Sequence, residues 1–169
     1  MKEVSDKDWK QVNDNLNKWR KNRKSPPNLD LYKKIVSMVH VGKTVLDVGC
    51  GQQYLFNCLP DINLYRGFDP FPLSDNVAPI SAEQLNDLND SFDTVFMFAA
   101  LDNVKNIELS LRGLKHVAKE NIVILTCIGV PKDKYHTHTI EREDLVSVFG
   151  EPFQEVEMLP KVWFLEWRL

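Results

Sequence analysis

The hydrophobic positions of this chain change their period several times between its amino and carboxyl ends. Trp9, Val12, Leu16 and Trp19 recur at steps of three and four, which predicts an amphipathic helix that stops before Ser25-Pro26-Pro27. Asn28 then offers a capping side chain for a second helix, with Tyr32, Ile35 and Val39 on one face and an end near Val41-Gly42. The run TVLDV that follows is short, apolar and β-branched, the composition of a buried strand. A short helix over Tyr54 to Leu59, a strand in LYRGFD, an extended piece at VAPI and a strong strand in FDTVFMF come next. Between Lys105 and Glu120 a helix is expected with Ile107, Leu111, Leu114 and Ala118 on one stripe, and NIVILTCI reads as another buried strand. Thr139 is placed to cap a last helix that Gly150 ends. FQEVEML and VWFLEWRL flank Pro160-Lys161 as the arms of an antiparallel hairpin.

Strands alternating with helices predict an α/β fold, a mostly parallel sheet with helices on both faces. In such sheets a ligand sits beyond the carboxyl ends of the strands, where the strand order reverses. Length and composition fit one domain: 169 residues, 43% of them hydrophobic, with a mean hydropathy of -0.31. We expect residues 1–40 to form an N-terminal helical segment and 41–169 the core of that domain. No run approaches the roughly 20 apolar residues of a membrane span, and MKEVSDKDWK lacks the apolar centre of a signal peptide. A cytoplasmic protein without membrane contact is expected. Cys50, Cys58 and Cys127 are an odd set without a Cys-x-x-Cys pair, so the reading is reduced thiols and no metal site. A net charge of -3 and a pI near 5.8 argue against a surface built mainly to grip nucleic acid.

The candidate chemistry begins at TVLDVGCGQQYL, residues 44–55, where Gly49 and Gly51 permit unusual backbone angles and close approach of a ligand. A dinucleotide fingerprint would require a glycine at Tyr54, and it does not call for an acid such as Asp47 before its first glycine. Acid-x-Gly-x-Gly at the end of a first strand instead resembles the glycine-rich motif of class I S-adenosylmethionine (SAM)-dependent methyltransferases. The resemblance continues through the chain. Asp69 in YRGFDPF, followed by Pro70, matches the acid that closes the family's second strand and binds both ribose hydroxyls, as a carboxylate is able to do. Ala82 and Glu83 in PISAEQL resemble the adenine-side motif, with Ser81 where an aspartate is common. Phe98 and Ala99 would pass beneath the methionine part of the cofactor. Asn103 stands where the family often has histidine, and Gln53 where it often has another glycine.

The resemblance, covering roughly residues 30 to 169, implies a Rossmann-like methyltransferase fold: a mostly parallel seven-stranded sheet with a C-terminal antiparallel hairpin. It implies a cofactor set of Asp47, Gly49, Cys50, Gly51, Asp69, Pro70, Ala82, Glu83, Phe98 and Ala99. It also implies methyl transfer to an acceptor, mainly a task of alignment and exclusion of water. For an oxygen or protonated nitrogen acceptor a base is needed; His138 and Asp102 are the first candidates, with His136 beside them. A small-molecule acceptor is the leading expectation. An RNA or protein acceptor comes second, and a non-catalytic SAM-binding protein third. The basic cluster KWRKNRK, from Lys18 to Lys24, is read as a solvated helix end with its cations near the helix C-terminus rather than as a nucleic-acid contact. SPPN, residues 25–28, lacks the aromatic of the amino-methylating DNA enzymes and reads as a break between helices.

Overall fold

In the computed structural model, which describes residues 3–22 and 28–169, the chain forms four α-helices and six strands. Helix α1 (Asp6–Asn22) carries Asp6 and Asp8 in its first turn and Arg20 and Lys21 in its last, both favourable to the helix dipole. The Ser-Pro-Pro break expected after it lies outside the described residues. Helix α2 (Leu29–Met38) is capped as anticipated: Oδ1 of Asn28 accepts the Leu31 N–H at 3.2 Å.

Strands β1 (Thr44–Val48), β2 (Leu64–Phe68), β3 (Phe92–Phe98) and β4 (Ala118–Cys127) pair in parallel, and β6 (Val162–Arg168) runs antiparallel between β4 and β5 (Gln154–Leu159). The sheet order is β2-β1-β3-β4-β6-β5. Six strands are paired among the described residues, one fewer than the seven expected. The segment at fault is VAPI, which makes one isolated bridge, Phe68 to Ala78. Pro79 has no N–H to continue a ladder, so the pairing stops there.

Two further expectations are corrected. Helix α3 spans Ile107–Val117, and β4 begins at the next residue, so Ala118 to Glu120 belong to the strand and not to the helix. Helix α4 (Arg142–Phe149) is capped by Glu141, whose carboxylate and that of Asp144 form a reciprocal capping box; the Thr139 hydroxyl instead accepts the Lys132 N–H at 3.1 Å. Gly150 closes α4 with φ 80°, as a C-terminal glycine does.

One sheet face, with Leu46, Val95, Met97 and Ile124, packs under α3, α4 and a short 3-10 turn at Glu83–Asp87. The other, with Val45, Phe96, Val123 and Phe164, packs under α2 and a 3-10 turn at Tyr54–Cys58. The first layer is tight at Gly113, where an added Cβ would lie 2.4 Å from the Ala82 carbonyl oxygen. Gly113→Ala gains about 1 kcal/mol of helix propensity but incurs about 1 to 3 kcal/mol of overpacking against backbone. We expect a lower urea midpoint with an unchanged slope; a higher midpoint would mean that the α3 contact is looser than described.

Candidate functional site

The strand order reverses between β1 and β3, and the loops leaving their carboxyl ends build the site. After β1 the chain turns sharply: the Gly49 and Cys50 N–H groups both donate to the Phe68 carbonyl, at 2.7 and 3.1 Å. Gly49 (φ 71°) and Gly51 (φ 50°) occupy the left-handed region. A Cβ on Gly49 would lie 2.4 Å from that of Ala100, so the first glycine is also required by the neighbouring loop. Ala99, in that loop, has φ 51° although it is not glycine, a strained conformation costing about 1 to 3 kcal/mol of the kind that clusters at functional sites.

Asp69 fastens this turn. Its Oδ2 accepts the Gly51 N–H at 3.1 Å and its Oδ1 the Phe71 N–H at 2.9 Å. Each carboxylate oxygen therefore keeps an acceptor position beyond its backbone bond. Burial raises the Asp69 pKa, opposed by the Phe71 N–H, the charge of Arg20 and the Gly51 N–H. Asp47 is buried more deeply: burial raises its pKa from 3.8 to about 7, the Tyr65 hydroxyl donating at 2.8 Å opposes this, and nearby Asp69 adds to it. The Cys50 thiol is pushed up by burial and by Asp47, which makes it inert as a nucleophile.

Over this turn lies a cavity of about 410 Å³, within the size range of small-ligand sites. Asp47, Gly49, Cys50, Gly51, Phe98 and Ala99 are all in its wall. Aromatic and aliphatic side chains, among them Trp19, Tyr32, Tyr54 and Leu159, line much of the rest. A second recess of about 30 Å³ adjoins it and is bounded by Asp69, Pro70, Ala82 and Glu83. The two spaces share Leu16, Arg20, Gly49 and Asn103. All ten residues expected to hold a cofactor thus gather around two adjoining spaces. Glu83 has a structural task there as well: its Oε1 accepts the N–H groups of Lys105 and Asn106, at 2.8 and 2.9 Å.

Helix α1 roofs both spaces. The Trp9 indole N–H donates to the Asn103 carbonyl at 2.9 Å, Asn13 Nδ2 donates to the same oxygen at 3.3 Å, and Lys105 pairs with Asp6 at 2.7 Å. Trp9, Asn13, Leu16 and Arg20 recur along one face, so Arg20 belongs to the stripe that faces the site. This corrects the reading of the whole basic cluster as solvated: Lys18 and Lys21 are exposed, while the Arg20 guanidinium lies 3.6 Å from where a Cβ on Gly51 would be. Arg23 and Lys24 lie outside the described residues.

Also in the wall of the larger cavity is Asp102, only 7% exposed, whose pKa is raised by burial and drawn back by His136. His136 lines the cavity, with Nε2 3.7 Å from Asp102 Oδ2 and Nδ1 2.8 Å from Asp133 Oδ1. His138 does not line it; this residue is buried, and its backbone N–H donates to the Asp102 carbonyl at 3.1 Å. The first-choice histidine therefore stands behind the wall, and its neighbour two residues earlier stands in it. Asn103 Oδ1 and Thr126 Oγ1, in residues of the same wall, are buried with no hydrogen-bond partner among the described residues. Buried polar atoms are as a rule hydrogen-bonded, so these two mark a place where a polar ligand group would be satisfied.

Sequence reasoning missed Arg20, Tyr65 and Asp133. The helical spacing of Arg20 from Leu16 was a usable signal; nothing local marks Tyr65 or Asp133. Among the described residues no group of three or more His, Cys, Asp or Glu side chains is placed to hold a metal, and no helix is long and apolar enough to cross a membrane.

No family model and no curated protein sequence matches the chain. Solved structures do. Magnesium protoporphyrin IX methyltransferase from Synechocystis PCC 6803 with bound SAM aligns with a TM-score of 0.65 at 15% identity, over 96% of this chain and 97% of that one. The N-methyltransferase NodS from Bradyrhizobium japonicum WM9, in complex with S-adenosylhomocysteine, aligns with a TM-score of 0.69 at 12% identity, over 96% and 98%. The 4+2 cyclase SpnF aligns with a TM-score of 0.61 at 16% identity, over 79% of this chain and 60% of that one. With its parallel core, its antiparallel closing strands and these alignments over nearly the whole chain, the protein has the class I SAM-dependent methyltransferase fold.

Proposed function

We propose that this protein is a SAM-dependent methyltransferase acting on an oxygen or nitrogen of a small molecule. The observation that carries the reading is Asp69, a buried carboxylate that secures the glycine turn through two backbone N–H groups and keeps an acceptor position on each oxygen. Two vicinal ribose hydroxyls match those positions. The remaining donor set fits the cofactor's other groups. Asp47, buried and short of a compensating charge, and Asn103 Oδ1, without a partner among the described residues, suit an α-ammonium; Arg20 suits the α-carboxylate. Pro70, Ser81, Ala82 and Glu83 would border the adenine, Gly49, Cys50 and Gly51 let the ligand approach main chain, and Phe98 and Ala99 lie under the methionine portion. When bound, the cofactor supplies a methyl group already activated by a sulfonium.

A nicotinamide dinucleotide fits poorly. Its pyrophosphate is held by the N-terminus of a long helix after the glycine loop, and here that place is taken by a five-residue 3-10 turn, Tyr54–Cys58. A small acceptor is favoured by the aromatic and aliphatic walls of the cavity, and one structural neighbour is named for a small-molecule acceptor, magnesium protoporphyrin IX. The recess beside Asp69, about 30 Å³, is far below the space an adenosine takes, so on this reading the groups that bound it, Trp9, Asn13 and Arg20 of α1 among them, shift when the cofactor seats.

Three outcomes test this. SAM or S-adenosylhomocysteine raises the melting temperature and NAD does not, and labelled methyl passes from SAM into the low-molecular-weight fraction of a cell extract. Stabilisation by NAD alone, or label confined to RNA and lost on neutralising Lys18 and Lys21, contradicts the proposal. Asp69→Asn weakens SAM binding by about 1.5 to 3 kcal/mol, roughly 10- to 150-fold, through loss of a charge-assisted acceptor. Calorimetric titration giving an unchanged affinity in the folded variant would remove the ribose assignment.

Asp47 gives a pH signature. Its folded pKa of about 7 lies above its ordinary 3.8, so the folded state binds the extra proton between those values, and stability falls as pH rises from about 4 to about 7. Asp47→Asn is expected to raise the melting temperature of the ligand-free protein above pH 7, with a gain that shrinks through that window and vanishes below about pH 4. A pH-independent effect would show that Asp47 is not the buried titrating group.

A further inference from the structure

Two residues of the cavity wall, Asp102 and His136, form with Asp133 an arrangement outside the proposed cofactor set. Asp133 and His136 close a tight turn in which each backbone N–H donates to the other's carbonyl, at 3.2 and 3.4 Å. Asp133 Oδ1 additionally accepts the Tyr135 N–H at 2.7 Å, which fixes the carboxylate. That carboxylate meets His136 Nδ1 at 2.8 Å. An ionised carboxylate only accepts, so in the neutral imidazole the proton resides on Nδ1 and the lone pair on Nε2. Nε2 lies on the Asp102 side, 3.7 Å from a carboxyl that also lines the cavity. Cys127, in the same wall, has its thiol pushed up by burial and by Asp102, so it is no competing base.

We propose that His136 is the general base of this site, positioned by Asp133, and that the acceptor is a planar, largely apolar molecule bearing a phenolic hydroxyl. This deepens the methyltransferase reading and rests on it. A neutral amine attacks through a lone pair that is already free, whereas a hydroxyl is a weak nucleophile until its proton is drawn off; a histidine held in the Nδ1–H form is suited to the second case. The acceptor body would lie among Tyr32, Tyr54, Trp19 and Leu159, surfaces suited to a flat ring. In the transfer, the hydroxyl proton passes to Nε2 of His136 as the acceptor oxygen forms its bond to the methyl carbon. The carbon–sulfur bond breaks with its electron pair left on sulfur, yielding the methyl ether, neutral S-adenosylhomocysteine and an imidazolium. Asp133 and Asp102 flank that imidazolium and offset its charge.

The test needs no turnover. The full chain is saturated with sinefungin, a stable SAM analogue carrying an ammonium in place of the methylsulfonium, and titrated with 4-nitrophenol, whose anion absorbs at longer wavelength than the neutral phenol. We expect the bound probe to be anionic below the pH at which it ionises in solution. His136→Gln should lower the anionic fraction by about tenfold, the effect of about one pKa unit, while binding sinefungin as before. Asp133→Ala should lower it less and, in nitrogen-15 spectra, shift the neutral His136 proton from Nδ1 towards Nε2. Sinefungin binding without phenol binding, or with bound phenol equally neutral in wild type and His136→Gln, overturns this inference and leaves the cofactor reading standing. Failure of the wild type to bind sinefungin overturns both.

Discussion

The Asp69 carboxylate is the constraint on which the site depends. It lies just past the end of β2, yet it fastens the turn after β1 through Gly51 and its own loop through Phe71. Without it, the buried Gly51 N–H loses its partner at a cost of about 1 to 3 kcal/mol, and the part-buried Phe71 N–H loses its own. The turn it holds sets the positions of Gly49 against Ala100 and of Asp47 beneath the cavity. One side chain therefore couples the loops of β1, β2 and β3. Its two oxygens also retain acceptor positions, so the group that holds the turn is the one proposed to bind the ribose.

Around that point the molecule accumulates unfavourable terms that a ligand would relieve. Asp47 and Asp69 are both raised by burial, Ala99 is held at positive φ, and Asn103 Oδ1 and Thr126 Oγ1 are buried without partners among the described residues. Local departures of this kind collect where binding offsets them. Helix α1 closes the same region through the Trp9 and Asn13 bonds to the Asn103 carbonyl, the Trp9–Phe71 ring contact, the Asn15 bond to the Lys134 carbonyl and the Lys105–Asp6 pair. The last of these is exposed at Asp6, where an ion pair contributes about 0 to 1 kcal/mol.

Much of this was legible in the chain because it is local. Buried strands such as TVLDV and FDTVFMF announce themselves by unbroken apolar runs, and Asn28 caps a helix by a bond three residues away. Asp47, the two glycines and Asp69 were identifiable as a series ordered along successive strand ends. What escaped depends on tertiary placement or on local competition. VAPI has strand composition but Pro79 stops its ladder, and Glu141 wins the cap from Thr139 because Asp144 reciprocates. Tyr65 matters only through the register that sets Leu46 beside Arg66 and brings its hydroxyl to Asp47. The choice between His136 and His138 turned on the Asp133–His136 bridge, a bend that no periodicity records. Arg20 was overlooked because its neighbours Lys18 and Lys21 are solvent-facing.

On the proposed reading the Asp69 turn is a nucleoside site with α1 as its roof. A crystal structure of the protein with S-adenosylhomocysteine tests this most directly. Both ribose hydroxyls are expected within hydrogen-bond distance of the Asp69 carboxylate, the α-carboxylate beside Arg20, and α1 displaced from the Asn103 carbonyl. A ligand bound elsewhere, or seated with its ribose away from Asp69 and α1 unmoved, would contradict it.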